Sequence, residues 1–524
     1  MKRLLFKYKN SYVSHDNLSF YFSLKRYRPV KGRQSRFHLY LIAVLGCGLV
    51  IYTLGSNRPL LPDLTPGEKA VPAAQPTRVR VALSDWTENL EVKNAISHYN
   101  KTNPDQIEIV PMNLATDAYD DTLNMLITSG QGPDVFSVDN AWLATYVNKG
   151  YLANLSAELD AGWLLRFPVW ARAYASGPLF KGGIYFMPSS IDTVRLIYNK
   201  QLFRTAGLDP EQPPHTFAAL EQAALQISRA GAPVNKYGFA LPAGDSRASL
   251  QAGLELSNTY SGYYLYDYRS GRYDLSVYAP WLQMVREMKQ QGSLYPGETL
   301  LKLSSALRQF ADGNIGMMYV TSKDYVRLQE YMPKDDWGVA LPPAADLSRR
   351  GAGALMMVPH APLVVNSAAQ SREAAVKVWR FFQSQEFLGM LYQQALALPV
   401  TDGIMDQPGA SRGLRHFREF YPTAAESVYP LSPQIMDQYD PNTVSMEPRY
   451  SGDRPRMQLY LRIIAGDIPL DQGLGSESER LNQMLDIAAT GYSFRREEYI
   501  YPQFDPRSPL LGESLQSRSG SGRE

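Results

Sequence analysis

Gly-Gly-Ile-Tyr-Phe-Met-Pro-Ser-Ser-Ile-Asp-Thr-Val-Arg-Leu-Ile-Tyr-Asn-Lys-Gln-Leu-Phe-Arg-Thr-Ala-Gly-Leu, residues 182–208, decides the fold of this chain. It reads as a short strand, a turn carrying Ser189, Ser190 and Asp192, a second apolar run, and a helix stopped by Gly207. A glycine just past the last helical residue is a common helix stop, because the left-handed conformation there costs it little.

Upstream, residues 78–83 alternate polar and apolar like a first strand, and 89–100 carry apolar residues at helical spacing. A strand at 107–111, a helix at 119–129 and a strand at 134–138 follow, the last introduced by Gly130-Gln131-Gly132-Pro133. Strand and helix alternating at these lengths predict a parallel α/β unit with right-handed crossovers. A short helix at 141–149 ends at Gly150. Downstream, Thr216 is the N-cap of a helix at 217–229, and 260–275 is dense in tyrosine. Helices are expected at 279–291 and 302–311, and buried strands at 314–321 and 337–341. Residues 372–384 are amphipathic, with Ala375, Val378, Phe381 and Phe382 on the apolar face; 460–465 and 476–490 close the domain. Trp142 and Trp281 sit among apolar neighbours at helical spacing and read as core.

At 524 residues the chain exceeds one ordinary core, so two lobes are expected. Its net charge of +2 conceals an asymmetry: residues 1–37 hold ten Lys/Arg against Asp16 alone, leaving the remainder at −7. This basic head abuts an uncharged run, 39–54, at the short end of what spans a bilayer. The charge pattern places the N-terminus inside and exports the rest, and sets aside a nucleic-acid reading. Two forms of membrane attachment stay open: an uncleaved transmembrane anchor, or lipidation at Cys47 after cleavage, within Val44-Leu45-Gly46-Cys47. Five prolines between 55 and 76 mark an extended spacer. Cys47 is the only cysteine, so the exported part has no internal disulfide.

The six histidines (His15, His38, His98, His215, His360, His416) are scattered, and none is paired for metal binding. No hydrolase elbow, phosphate-cradling loop or acid pair can be named. No cofactor, no metal and no catalysed reaction are expected.

The 182–208 stretch, with its Tyr198-Asn199-Lys200 and Ala206-Gly207-Leu208, resembles the central segment of the extracellular solute-binding proteins of bacterial ABC importers. That sugar-binding family includes maltose-binding protein. Gly130-Gln131-Gly132-Pro133-Asp134-Val135 resembles the turn that leads into the strand below its ligand cleft. The segment 306–318, then 351–357, 374–382 and Leu398-Pro399-Val400, follow the family's order, so the resemblance covers about 78–491. One departure stands out. Where many members carry Gly-Pro-Trp, whose ring stacks on the ligand, this chain has Val320-Thr321-Ser322-Lys323.

The resemblance implies a two-lobe periplasmic-binding-protein-like α/β fold with a hinge and an interlobe ligand cleft. The expected layout is a basic cytoplasmic head (1–37), an anchor (38–55), a spacer (56–76), a binding domain (77–507) and a polar tail (508–524). Lobe 1 is expected at about 78–190 and 342–365, and lobe 2 at about 191–341 and 366–491. The implied function is binding of a carbohydrate, an oligosaccharide, by a monomer tethered outside the cell, and its delivery to permease subunits. A sugar-sensing receptor subunit for a signalling partner is the alternative. Polar groups that grip a sugar belong at the carboxyl ends of parallel strands, beside aromatic faces. This selects Asp85 and Trp86 after the first strand, Asp139 and Asn140 after the third, and Ser190 and Asp192 at the crossover. Tyr319 follows Met317-Met318, and Tyr260 resembles an aromatic that the family places in the cleft. The ordinary reading of Asp139 is a helix cap, and that of Trp86 and Tyr260 a half-buried core residue.

Overall fold

The computed structural model describes residues 75–510, apart from 116–117, 245–249, 251, 333–335, 361, 402, 406–413, 434–452 and 492–494. The expected head, anchor, Cys47 and most of the spacer lie outside the described residues, as do residues 511–524 of the tail. No helix among the described residues is long and apolar enough to cross a membrane.

The chain enters through β1 (Thr77–Ala82), α1 (Leu90–Thr102), β2 (Ile107–Pro111), α2 (Tyr119–Thr128), β3 (Val135–Ser137) and α3 (Asn140–Asn148). It crosses over through β4 (Ser190–Asp192) into β5 (Val194–Asn199). The second lobe adds α4 (Phe217–Gly231), β6 (Tyr237–Phe239), α5 (Ala279–Gln290), α6 (Leu303–Ala311), β7 (Ile315–Thr321) and β8 (Trp337–Ala340). The return runs through β9 (Val358–Pro359) to β10 (Leu363–Val365), α7 (Arg372–Phe382), α8 (Gln385–Gln393) and β11 (Leu398–Pro399). Two long helices, α9 (Asp453–Ala465) and α10 (Leu470–Gly491), follow.

Among the described residues, three sheets have three or more strands. The first has the order β10-β3-β1-β2, with β1 parallel to β2 and β3 and with β10 antiparallel (Val364 opposite Phe136). The second has the order β8-β5-β7-β6; β5 runs antiparallel to β7, placing Ile197 opposite Met318. Between them lies the crossover sheet β9-β4-β11, antiparallel throughout. Val194 to Asn199 and Ile315 to Thr321 are buried at every position, because both faces of the second sheet are covered. Leu196, Met317 and Tyr319 join the core under α4 and α5. Ile197, Met318 and Val320 join the core that continues through the crossover into the first lobe. With successive side chains pointing to two covered faces, burial does not alternate along either strand; β7 reads as an apolar run, and β5 as one broken by Arg195.

Caps fall where residue chemistry puts them. Thr216 Oγ1 accepts from the Ala219 amide at 3.2 Å to open α4. Asn89 Oδ1 accepts from Glu91 and Val92 to open α1. Gly238 on β6 lets α4 lie directly on the strand: a Cβ there would stand 2.0 Å from the Ala224 carbonyl oxygen.

The lobe boundaries differ from those expected. Helices α7 and α8 pack on the first lobe, α7 against β1, β3 and β10 and α8 against α1. The Trp379 indole, fully buried, donates to the Leu363 carbonyl at 2.8 Å. The segment expected in lobe 1 from residue 342 stays with the second lobe as far as Leu355, and the return begins at β9. An amphipathic stripe shows that a helix covers a sheet but not which one, so periodicity left this assignment undetermined. Helices α9 and α10 do pack against α5, in the second lobe.

Candidate binding site

A cavity of about 480 Å³ lies between the lobes. Asp139, Asn140 and Tyr174 of the first lobe face Thr321, Lys323 and Glu255 of the second, with Asp192 and Pro359 of the crossover between them. The rest of the wall is mainly apolar and aromatic, including Tyr264, Tyr429, Met356 and Val428, with Thr259, Ser432 and Arg456 among them. Tyr264 and Tyr429 rings lie 6.1 Å apart at 46°. Tyr268 donates to the Pro430 carbonyl at 2.6 Å and Tyr429 to that of Ala354 at 2.9 Å, fixing this wall to the second lobe.

The polar end is assembled from strand ends. Asp139 follows β3 and caps α3, its Oδ1 accepting from the Ala141 amide at 2.8 Å. The expected ligand position and the ordinary capping role therefore coincide in one residue. Asn140 donates from Nδ2 to the Pro359 carbonyl at 2.7 Å, and its Oδ1 accepts from the Tyr174 hydroxyl at 2.8 Å. Its amide is thereby locked in one orientation.

Asp192, at the end of β4, is the hub of a four-charge chain. Its Oδ2 stands 3.0 Å from His360 Nδ1 and 3.1 Å from Lys323 Nζ, and its Oδ1 accepts from Ser322 Oγ at 3.2 Å. His360 Nε2 lies 3.2 Å from Asp85 Oδ2, off the line of a directed hydrogen bond, so that contact is ionic in character. The Trp86 ring stacks on the imidazole at 5.0 Å and 20°. Trp86 itself sits at φ 66°, a left-handed conformation rare for a bulky residue.

These contacts set the protonation states. Burial raises the Asp192 carboxyl, but Lys323 and His360 outweigh it and hold the group below its ordinary value. Asp85 is likewise held well down against burial, by His360 and Lys323. Burial and Lys323 lower the His360 imidazole, but the two aspartates prevail and raise it above 6.5. Burial lowers Lys323, yet Asp192 and Asp85 carry it above the ordinary ammonium value. Among the described residues no group of His, Cys, Asp or Glu is arranged to hold a metal ion.

Of the eight residues selected from sequence, Asp139, Asn140 and Asp192 line the cavity. Asp85 and Trp86 stand beside it, turned toward His360. Ser190, Tyr260 and Tyr319 are buried away from its wall, Tyr319 with its ring 5.8 Å from that of Phe239. Both tyrosines belong to the second-lobe core, where their ring area is covered by neighbours rather than left for a ligand. His360 and Glu255 were missed, since each draws its surroundings from segments far away in sequence. Lys323 had a signal, because it stands where an aromatic was expected.

Two α/β lobes joined by crossover strands, with a polar and aromatic cleft between them, define a receptor for a small ligand. The chain belongs to the bacterial extracellular solute-binding proteins, whose family model matches residues 84–387. A protein of Brucella abortus named as a binding protein is 23% identical over 343 residues, 63% of this chain and 77% of that one. The sn-glycerol-3-phosphate-binding periplasmic protein of Salmonella typhimurium is 24% identical over 334 residues, 59% of this chain and 71% of its own length. Among solved structures, the GacH receptor of Streptomyces glaucescens superposes with a TM-score of 0.62 at 16% identity, covering 78% of this chain and 99% of that one. The sugar-binding protein MalE of Xanthomonas citri gives 0.61 at 19%, covering 78% and 98%. At such identities these likenesses establish the shared fold.

Proposed function

We propose that this chain is the receptor of a bacterial ABC importer, taking a carbohydrate, an oligosaccharide, into the interlobe cleft and presenting it to membrane permease subunits. One observation carries the reading: the polar side chains of Asp139, Asn140 and Asp192 share one cavity with the Tyr264 and Tyr429 rings. Sugars present hydroxyl edges and apolar ring faces, and this pairing of polar and aromatic groups suits both. The receptor acts as a monomer outside the cell, tethered through the basic head and the apolar run at 39–54. A second reading, a phosphorylated polyol, is favoured by the Lys323 ammonium in the cleft and by the glycerol-phosphate-binding relatives.

Thermal melting against maltotriose, raffinose, xylo-oligosaccharides and sn-glycerol 3-phosphate tests both. A ligand at a hundred times its Kd stabilises the native state by about 2.7 kcal/mol, a readily measured shift. A shift with one of the sugars and no product formed supports the carbohydrate receptor. A shift with glycerol phosphate alone assigns the second reading, and no shift with any compound overturns both.

A further inference from the structure

We propose that Asp85, His360, Asp192 and Lys323 form an electrostatic latch linking the first lobe, the crossover strands and the second lobe, with His360 as its proton-sensitive link. The four charges alternate along a path through the hinge region. Asp85 belongs to the first lobe: its neighbour Ser84 donates from its amide to Ser137 Oγ on β3 at 3.3 Å. Asp192 and His360 belong to the crossover, where Val358 opposes Asp192 and the His360 amide donates to the Ser190 carbonyl at 2.9 Å. Lys323 belongs to the second lobe, just past β7, in a turn fixed by Asp324 accepting from the Thr321 amide at 2.8 Å. A motion that opens the cleft at either side of the crossover must separate a pair of unlike charges, Asp85 from His360 or Lys323 from Asp192.

Two features make this more than incidental pairing. Asp85 and His360 lie outside the cavity wall, so their contact acts on lobe position and not on the ligand directly. His360 is also enclosed: Asp85 faces one ring nitrogen, Asp192 the other, and Trp86 covers the ring face, with Lys323 the nearby cation. Asp139 acts in turn on Lys323. The sign follows from the raised imidazole. Opening between Asp85 and His360 takes one anion away from the imidazole while Asp192 stays, so the protonated ring favours the docked state, and that advantage is lost as pH rises through the docked value. The two carboxylates, held low, stay charged throughout that range. The latch is therefore closed in mildly acidic solution and loosens on the alkaline side.

The test needs no ligand and so stands apart from the choice of cargo. Spin labels at Ala157→Cys and Ala230→Cys, both exposed and on different lobes, are placed in the full chain with Cys47→Ser. Interlobe distances are then measured at pH 5.5 and 8.5. A short-distance population at pH 5.5 that gives way to a longer one at pH 8.5 is expected. In Asp85→Asn, a substitution at a partly exposed side chain, the longer population is expected at both pH values, and in His360→Gln the pH response is lost. A wild-type distribution unchanged between the two pH values overturns the proposal, as does an Asp85→Asn protein that keeps the wild-type response.

Discussion

Arg195 and Glu426, 231 residues apart, meet in a two-pronged ion pair, Nη1 to Oε1 at 2.8 Å and Nη2 to Oε2 at 2.9 Å, with side chains 1% and 0% exposed. Arg195 also donates to the carbonyls of Glu419, Phe420, Tyr421 and Val194, so every face of the guanidinium is occupied. It fastens β5, the first strand of the second lobe, to the segment that leads on to the cleft wall at Val428 and Tyr429. Arg195→Met strands a carboxylate in the interior and is expected to cost about 3–5 kcal/mol, read as a lower urea midpoint. Adding Glu426→Leu removes the stranded charge and is expected to restore part of that loss.

Asp139 carries a cap and a place in the cavity at once, and the two roles separate by substitution. Asn caps a helix about as well as Asp, so Asp139→Asn is expected to leave the unfolding free energy within about 0.5 kcal/mol of wild type. The same change removes a charge from the cleft and weakens ligand binding. Asp139→Ala loses both, with a stability cost of about 0.5–2 kcal/mol. Melting curves and titration calorimetry on the two variants distinguish the roles; equal affinity in all three proteins would remove Asp139 from the site.

Asp192 governs the acid limb of stability. Its carboxyl is held below the ordinary value, so it contributes stability above about pH 4, which disappears as pH falls through its native value. Asp192→Asn is expected to flatten the stability profile on the acid side. It also leaves His360 and Lys323 without their shared partner, so the variant is less stable at neutral pH. Unfolding free energies measured from pH 3 to 8 show both effects; an acid limb as steep as the wild type would disprove the assignment.

Gly238 is required by packing rather than by backbone conformation. A Cβ would meet Ala224 oxygen and carbon atoms of the α4 backbone at 2.0–2.4 Å, and these cannot rotate away. Gly238→Ala is expected to push α4 off β6 and to destabilise by about 3 kcal/mol, near the top of the usual overpacking range. The second lobe melts earlier, and hydrogen exchange in β6 and α4 accelerates before that in β1 and β3. Uniform acceleration across both lobes would show that they unfold as one unit.

Much of this architecture is legible in the chain itself, because it rests on local chemistry. Alternation in 78–83, the Gly-Gln-Gly-Pro turn before Asp134 and the Thr216 cap each mark their elements, and each is present. Asp139 and Asn140 are found by one rule, that loops after parallel strands face the cleft. The same rule selects Tyr319, but β7 is covered on both faces and turns that ring into the core. Tyr260 fails similarly, since an aromatic-rich stretch gives no sign of which rings cover one another.

Sequence alone determined the two α/β units, their crossover at 182–208 and the acidic groups at strand ends, since near-neighbour sterics and periodic burial decide those. It also supplied the basic head and the apolar run after it. Only the tertiary structure decided which lobe α7 and α8 cover, and which residues share one environment. Asp85, Asp192, Lys323 and His360 come from four separate segments, and nothing in the spacing of any pair predicts their meeting. Charges separated along a chain influence one another only when folding brings them within a few ångströms in a poorly screened interior. That condition is met by packing, and no local pattern records it.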